Sequence, residues 1–236
     1  MALLLSIDTA TEYAGVCISN DAEVLSVEES EDQKNHGAFI QPAIQKLAKQ
    51  LNIQFKELDA IVVSGGPGSY TGLRVALSTA KGLCYALQKP LIMINTLEVM
   101  AYASINELIK SQTAVDDYLF CPMIDARRME VFTAVFDKEL KHIHQPLALV
   151  LTEIPADFFD RDKTIVVSGN GSKKLQNLNL EQKLLFQKII YNVQNLATLG
   201  FKAFDQQHFK ELAYSEPIYV KEFFSTTSVG KIKNLL

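Results

Sequence analysis

Ser64-Gly65-Gly66-Pro67-Gly68-Ser69-Tyr70-Thr71-Gly72-Leu73-Arg74 is the stretch on which the reading of this chain turns. The β-branched run Ile61-Val62-Val63 just before it has the character of a buried strand. Four glycines and a proline between Gly65 and Gly72 permit backbone angles that other residues resist. Ser69 or Thr71 can then cap a helix running to about Gln88, with Pro90 beyond its end. Such a loop is either a tight turn that lets helix and strand pack closely, or a cradle whose amides face an anion. The known phosphate patterns fit poorly. No G-x-x-x-x-G-K-[ST] occurs, and Gly66-x-Gly68-x-x-x-Gly72 departs from dinucleotide spacing. A nucleophile elbow at Ser69 would need glycine where Pro67 stands. The tight turn is the preferred reading.

Working outward, Ala2–Asp8, Tyr13–Ser19 and Glu23–Glu29 read as strands, the last two joined by the turn pair Asn20-Asp21. Phe39, Ile40, Ala43, Ile44, Leu47 and Leu51 recur at helical spacing, with Pro42 in the first turn or at a kink. A strand at Leu91–Ile94 and a helix near Leu97–Lys110 follow the glycine-loop helix, giving the order βββαβαβα. The second half repeats it. Strands are expected at Tyr118–Asp125, Glu130–Phe136, His142–Leu151, Thr164–Ser168 and Leu185–Tyr191. Helical stretches are expected around Pro155–Phe159, Lys173–Leu178 and Asn195–Leu212. Ile7-Asp8-Thr9-Ala10 echoes Ile124-Asp125-Ala126-Arg127, and Ile61-Val62-Val63-Ser64-Gly65-Gly66 echoes Ile165-Val166-Val167-Ser168-Gly169-Asn170, at matching places in the two halves. The expectation is a duplicated α/β protein with lobes at 1–105 and 106–220, and a basic tail at 221–236 with Lys221, Lys231 and Lys233.

The totals exclude some classes of function. A net charge of −4 over 236 residues argues against this chain alone gripping a nucleic acid. Cys17, Cys84 and Cys121 are far apart in apolar segments, as reduced core thiols of a cytoplasmic protein would be. The opening Met1-Ala2-Leu3-Leu4-Leu5-Ser6-Ile7-Asp8 reads as a first strand, not a signal peptide. No apolar run approaches the ~18 residues that a membrane helix needs.

Asp8 and Asp125 each end a first strand, where a two-lobed phosphotransferase would hold a metal-bound nucleotide. Thr9-Ala10-Thr11 after Asp8 offers no glycine for a phosphate, and Arg127 or Arg128 is expected to pair with Asp125. Structural roles are therefore preferred for both. His142 and His144 share a strand face without a third ligand, and read as a solvated face. No metal and no cofactor is expected.

The glycine-loop helix has two faces. Leu73, Ala76, Leu77, Ala80, Cys84 and Leu87 form a core stripe, and Val75, Ser78, Thr79, Gly82 and Ala86 a face of small residues. That second face is either buried within the domain or, with the Phe39–Leu47 helix, offered to another subunit.

Several stretches together are similar to the TsaB (YeaZ) family. These are Gly66-Pro67-Gly68-Ser69-Tyr70-Thr71-Gly72-Leu73-Arg74 with Ala80-Lys81-Gly82-Leu83, then Asp8-Thr9, His36, Met123-Ile124-Asp125-Ala126-Arg127-Arg128-Met129-Glu130-Val131, and Pro217-Ile218-Tyr219-Val220. The resemblance spans nearly the whole chain. It implies an actin-like, duplicated fold of the sugar-kinase and heat-shock ATPase superfamily (ASKHA, RNase H-like). It implies a cytoplasmic, non-catalytic subunit that binds and activates TsaD, together with the ATPase TsaE. The reaction would be threonylcarbamoylation of N6 of adenosine 37 in tRNAs reading codons that begin with A, with tRNA met only through the complex. The catalytic paralogue carries Asn-His-Leu-Glu-Gly-His, whose histidines bind metal, where this chain has Asn95-Thr96-Leu97-Glu98-Val99-Met100. Thr96 and Met100 cannot replace imidazoles on such a cation. The partner-facing set that follows is His36, Phe39, Ile40, Ala43, Leu47, Tyr70, Arg74, Val75, Ser78, Thr79 and Gly82, beside the glycines Gly65, Gly66, Gly68 and Gly72. The alternatives are an ATPase or phosphotransferase of the same superfamily acting on its own, and a homodimer through the same helices.

Overall fold

Among the described residues, ten strands form two five-stranded mixed sheets with one topology used twice, and four α-helices pack on them. The structure is a computed structural model and describes residues 1–32, 35–155, 157–178, 180–189 and 191–220. The sequence-based reading of a basic tail falls outside those residues. Among them, no helix is long and apolar enough to cross a membrane.

The first sheet contains β1 (Leu3–Asp8), β2 (Ala14–Asn20), β3 (Glu23–Ser30), β4 (Ala60–Ser64) and β5 (Leu91–Ile94), in the order β3-β2-β1-β4-β5. β1, β2 and β3 form an antiparallel meander, while β4 and β5 add to β1 in parallel. β4, buried at every position, is apolar from Ala60 to Val63 because both of its faces are covered. The second sheet repeats the plan with β6 (Tyr118–Asp125), β7 (Glu130–Phe136), β8 (His142–Val150), β9 (Thr164–Ser168) and β10 (Leu184–Phe186), in the order β10-β9-β6-β7-β8. The duplication expected from the echoes is present strand for strand.

The helices are distributed differently from the expectation. α1 (His36–Gln50) and α2 (Tyr70–Leu87) cover one face of the first sheet, with Ile40, Ala43, Ile44, Leu47, Ala76, Leu77, Ala80 and Cys84 on Leu5, Ile7, Val16, Ile18, Ile61 and Val63. In the second lobe the equivalents shrink to 3-10 turns at Leu151–Glu153 and Asn170–Asn177. The strand expected over Leu185–Tyr191 is the short β10, and the helix expected over Asn195–Leu212 is α4 (Val193–Asp205). Pro42 lies beyond the first turn of α1, which starts at His36, and stands exposed.

The helices cross between the lobes. α3 (Thr96–Lys110) packs Leu97, Met100, Ala101, Ile105 and Leu108 on Phe120, Ile124, Ala134, Phe136 and Val166 of the second sheet. α4 returns from the second half to cover the free face of the first sheet, with Val193, Leu196, Ala197 and Leu199 on Leu4, Cys17, Val62 and Ile92. Each sheet has two apolar faces and each needs a helix from outside its own half to close the second one. Residues 206–220 then run back along the first lobe, where Lys210 pairs with Leu91.

Candidate functional site

The glycine loop docks on the turn after β1. Ser69 N–H donates to Ala10 O (2.6 Å), and Thr9 Oγ1 donates to Gly72 O (2.6 Å). A β-carbon on Gly68 would fall 2.2 Å from Ala10 O, and one on Gly72 2.0 Å from Thr9 O. No side chain fits at either place. Three further loop amides are spent inside the chain: Gly65 N–H on Ile94 O (2.7 Å), Gly66 N–H on Thr96 Oγ1 (3.1 Å), and Gly72 N–H on the capping Ser69 Oγ (3.2 Å). These bonds and the close approaches at Gly68 and Gly72 support the tight-turn reading of the loop.

Asp8 is fully buried at the end of β1. Its carboxylate accepts from Ser64 Oγ (2.6 Å), Ala10 N–H (2.9 Å) and the Tyr191 hydroxyl. Burial pushes its pKa up, opposed by those donors. Thr96 is buried with its hydroxyl on Gly66, and Met100 is buried in the core between α3 and the second sheet. Both side chains are taken up by the fold itself, Thr96 by a loop stitch and Met100 by core packing.

Asp125 pairs with Lys174 Nζ (2.7 Å), which holds its carboxyl below the ordinary range. Arg127 reaches it only through its backbone N–H (2.6 Å), so the expected arginine ion pair is corrected. Lys174 arrives from the 3-10 turn after β9, a partner that adjacent sequence could not indicate. Arg127 and Arg128 both have positive φ (69° and 45°) and line a cleft of about 980 Å³ between the glycine loop and the β6–β7 turn. Glu12 Oε2 accepts from Asn170 Nδ2 (3.0 Å) across that cleft. His144 stacks on Phe158 and meets its carbonyl (2.9 Å), while His142 packs on Phe136. Those two histidines are half-buried rather than a solvated face.

The second candidate surface is the outward side of α1 and α2. His36, Ile40, Ala43 and Leu47 are buried beneath it, so these residues expected at a partner surface belong to the interior instead. Phe39 is half-buried against the same core. Gly37, Ala38, Gln41 and Gln45 of α1, with Ser78, Gly82 and Ala86 of α2, are exposed, and Val75 and Thr79 are half-buried between them. Gln41 Nε2 meets Thr79 Oγ1 (3.4 Å) where the helices touch. A β-carbon on Gly37 or Gly82 would meet nothing within 4 Å. Tyr70 and Arg74 are exposed at the head of α2, in contact with Tyr219. Tyr219 became visible only through the return of the chain.

Comparison with known proteins places this geometry. A family model described as "TsaD: tRNA N6-adenosine threonylcarbamoyltransferase" matches residues 24–223. The tRNA threonylcarbamoyladenosine biosynthesis protein TsaB of Bacillus subtilis (strain 168) is 31% identical over 208 residues, 87% of this chain and 81% of that protein. The protein of the same name from Escherichia coli (strain K12) is 25% identical over 225 residues, 92% of this chain and 94% of that one. The solved structure of YeaZ from Pseudomonas aeruginosa superposes with a TM-score of 0.77 at 22% identity, covering 93% of this chain and all (100%) of that one.

Proposed function

The chain belongs to the TsaB family, and from that premise we propose that it takes part in tRNA threonylcarbamoyladenosine biosynthesis as a non-catalytic, cytoplasmic subunit. It binds TsaD through the outward side of α1 and α2. With TsaE it activates TsaD for transfer of threonylcarbamoyl to N6 of adenosine 37.

The observation that carries this reading is the pair Gly37 and Gly82. Gly82 lies in the interior of α2, where glycine costs about 1 kcal/mol relative to alanine, and Gly37 lies in the first turn of α1. Among the described residues nothing approaches either one. Their smallness serves no contact among the described residues, which fits a partner helix lying close across Ser78 and Gly82. A stable contact would bury roughly 800 Å² on each side.

The cleft supports the same division of labour. The carboxylate that would face a metal-bound nucleotide, Asp8, is sealed by Ser64, Ala10 and Tyr191. A phosphotransferase acting on its own is the poorer reading for that reason.

The deciding experiment is reconstitution with TsaD, TsaE, unmodified tRNA, threonine, bicarbonate, ATP and the enzyme making threonylcarbamoyl-adenylate, with and without this chain. Modified nucleoside formed only in its presence, with no ATP turnover by the chain alone, is expected. Equal yields in both arms would remove the activating role.

A further inference from the structure

The outward residues of α2 at spacing four, Tyr70, Arg74, Ser78 and Gly82, form one exposed stripe. Its head is built by the C-terminal strap. Lys210 N–H donates to Leu91 O (2.8 Å), Lys81 Nζ donates to the carbonyls of Ala213 and Ser215 (both 3.2 Å), and Ile218 N–H donates to Gly65 O (2.7 Å). These bonds deliver Tyr219 to Tyr70, with ring centroids 5.6 Å apart. Arg74 lies against both rings, its Cζ 4.2 Å from the centroid of Tyr70 and 6.0 Å from that of Tyr219, and its Nε donates to Tyr219 Oη (3.0 Å).

We propose that Arg74 is the charged anchor of the docking face, presenting the free edge of its guanidinium to a carboxylate on the partner protein. The inference rests on the partner-binding reading above and names the partner's chemistry at one point of that face.

A guanidinium carries five N–H donors in a rigid fork, and the bond to Tyr219 uses one. Among the described residues no carboxylate lies within ion-pair distance of Arg74; Glu216 acts on it only through its field. Stacking and the strap fix the side chain in advance, so little rotamer freedom is left to lose on association. Arginine and tyrosine are the residue types that dominate interface energetics, and a forked donor matches a carboxylate with two parallel hydrogen bonds. The small residues Ser78 and Gly82 continue the stripe, which favours a protein helix over an RNA phosphate as the bearer of that acid.

The test is titration of TsaD into the full chain and its Arg74→Ala, Arg74→Lys, Arg74→Glu and Tyr219→Phe variants, at low and high salt, with thermal unfolding of each variant. Arg74→Ala should weaken binding about tenfold or more, and Arg74→Lys should recover part of it with the strap intact. Arg74→Glu should bind worse than Arg74→Ala, and the parent should lose more affinity with salt than Arg74→Ala does. Replacing the matching acid on TsaD by arginine should rescue Arg74→Glu. Binding by Arg74→Ala and Arg74→Glu within twofold of a parent that does bind overturns the anchor alone. So does a loss confined to tRNA binding. A parent that fails to bind TsaD overturns the reading beneath it.

Discussion

The carboxylate of Asp8, at the end of β1, accepts a hydrogen bond from the hydroxyl of Tyr191, just ahead of α4 and 183 residues away. The bond ties the second half of the chain to the first strand and occupies a carboxylate at the end of that strand.

Tyr191→Phe should therefore destabilise the protein by about 1–3 kcal/mol, the usual consequence of orphaning a buried acceptor. Burial raises the folded pKa of Asp8 above 3.8, so its contribution is fully present below that value and is lost as pH rises through the folded pKa. The Tyr191 donor favours the ionised form, and its removal raises the folded pKa further. The deficit, read from urea unfolding, should be larger near neutral pH than at about pH 4. Equal deficits at both would mean that the carboxylate does not feel this hydroxyl.

Glycine-to-alanine changes should split by position. Gly68→Ala and Gly72→Ala drive a methyl to 2.2 Å and 2.0 Å from backbone oxygens and should cost at least about 2–3 kcal/mol, because backbone cannot move aside as a side chain can. Gly82→Ala enters open space in a helix and should stabilise by about 0.5–1 kcal/mol. Thermal unfolding of the three variants checks the sign at each site.

The same Gly82→Ala change should weaken TsaD binding while raising the melting temperature, and Ser78→Asp should weaken binding more with the fold intact. Calorimetric titration reads the affinity and circular dichroism the fold. Unchanged affinity for both variants would move the interface elsewhere.

The Asp125–Lys174 pair gives a prediction with the opposite pH sign. Lys174 holds the Asp125 pKa below its ordinary value, so the stabilisation is present above the unfolded pKa and disappears as pH falls through the folded one. Asp125 is 42% exposed, which limits the effect to less than about 1 kcal/mol. In an NMR titration, Lys174→Met should return Asp125 toward its ordinary pKa, whereas Arg127→Ala should leave it unmoved, since that residue acts through its backbone.

The elements legible in advance were those with a strong local signal. The strand, loop and helix from Ile61 to Leu87 follow from β-branching, glycine density and an apolar stripe, and Ser69 caps the helix as its hydroxyl allows. Weak signals misled. His36, Ile40, Ala43 and Leu47, assigned to a partner surface through the family resemblance, are in the fold the buried side of α1. The short second-lobe helices carry an apolar pattern too brief to extend beyond 3-10 turns.

The amino-acid sequence by itself determined the strand set, the duplication and the glycine loop, because each is written in residues close together along the chain. Tertiary structure alone decided that α3 and α4 exchange lobes, that Tyr191 seals Asp8, that Lys174 takes Asp125 from the arginines, and that Tyr219 returns to Arg74. All four are pairings over long sequence separations. They are set by which apolar faces remain to be covered and which donors remain to be satisfied once the sheets have formed.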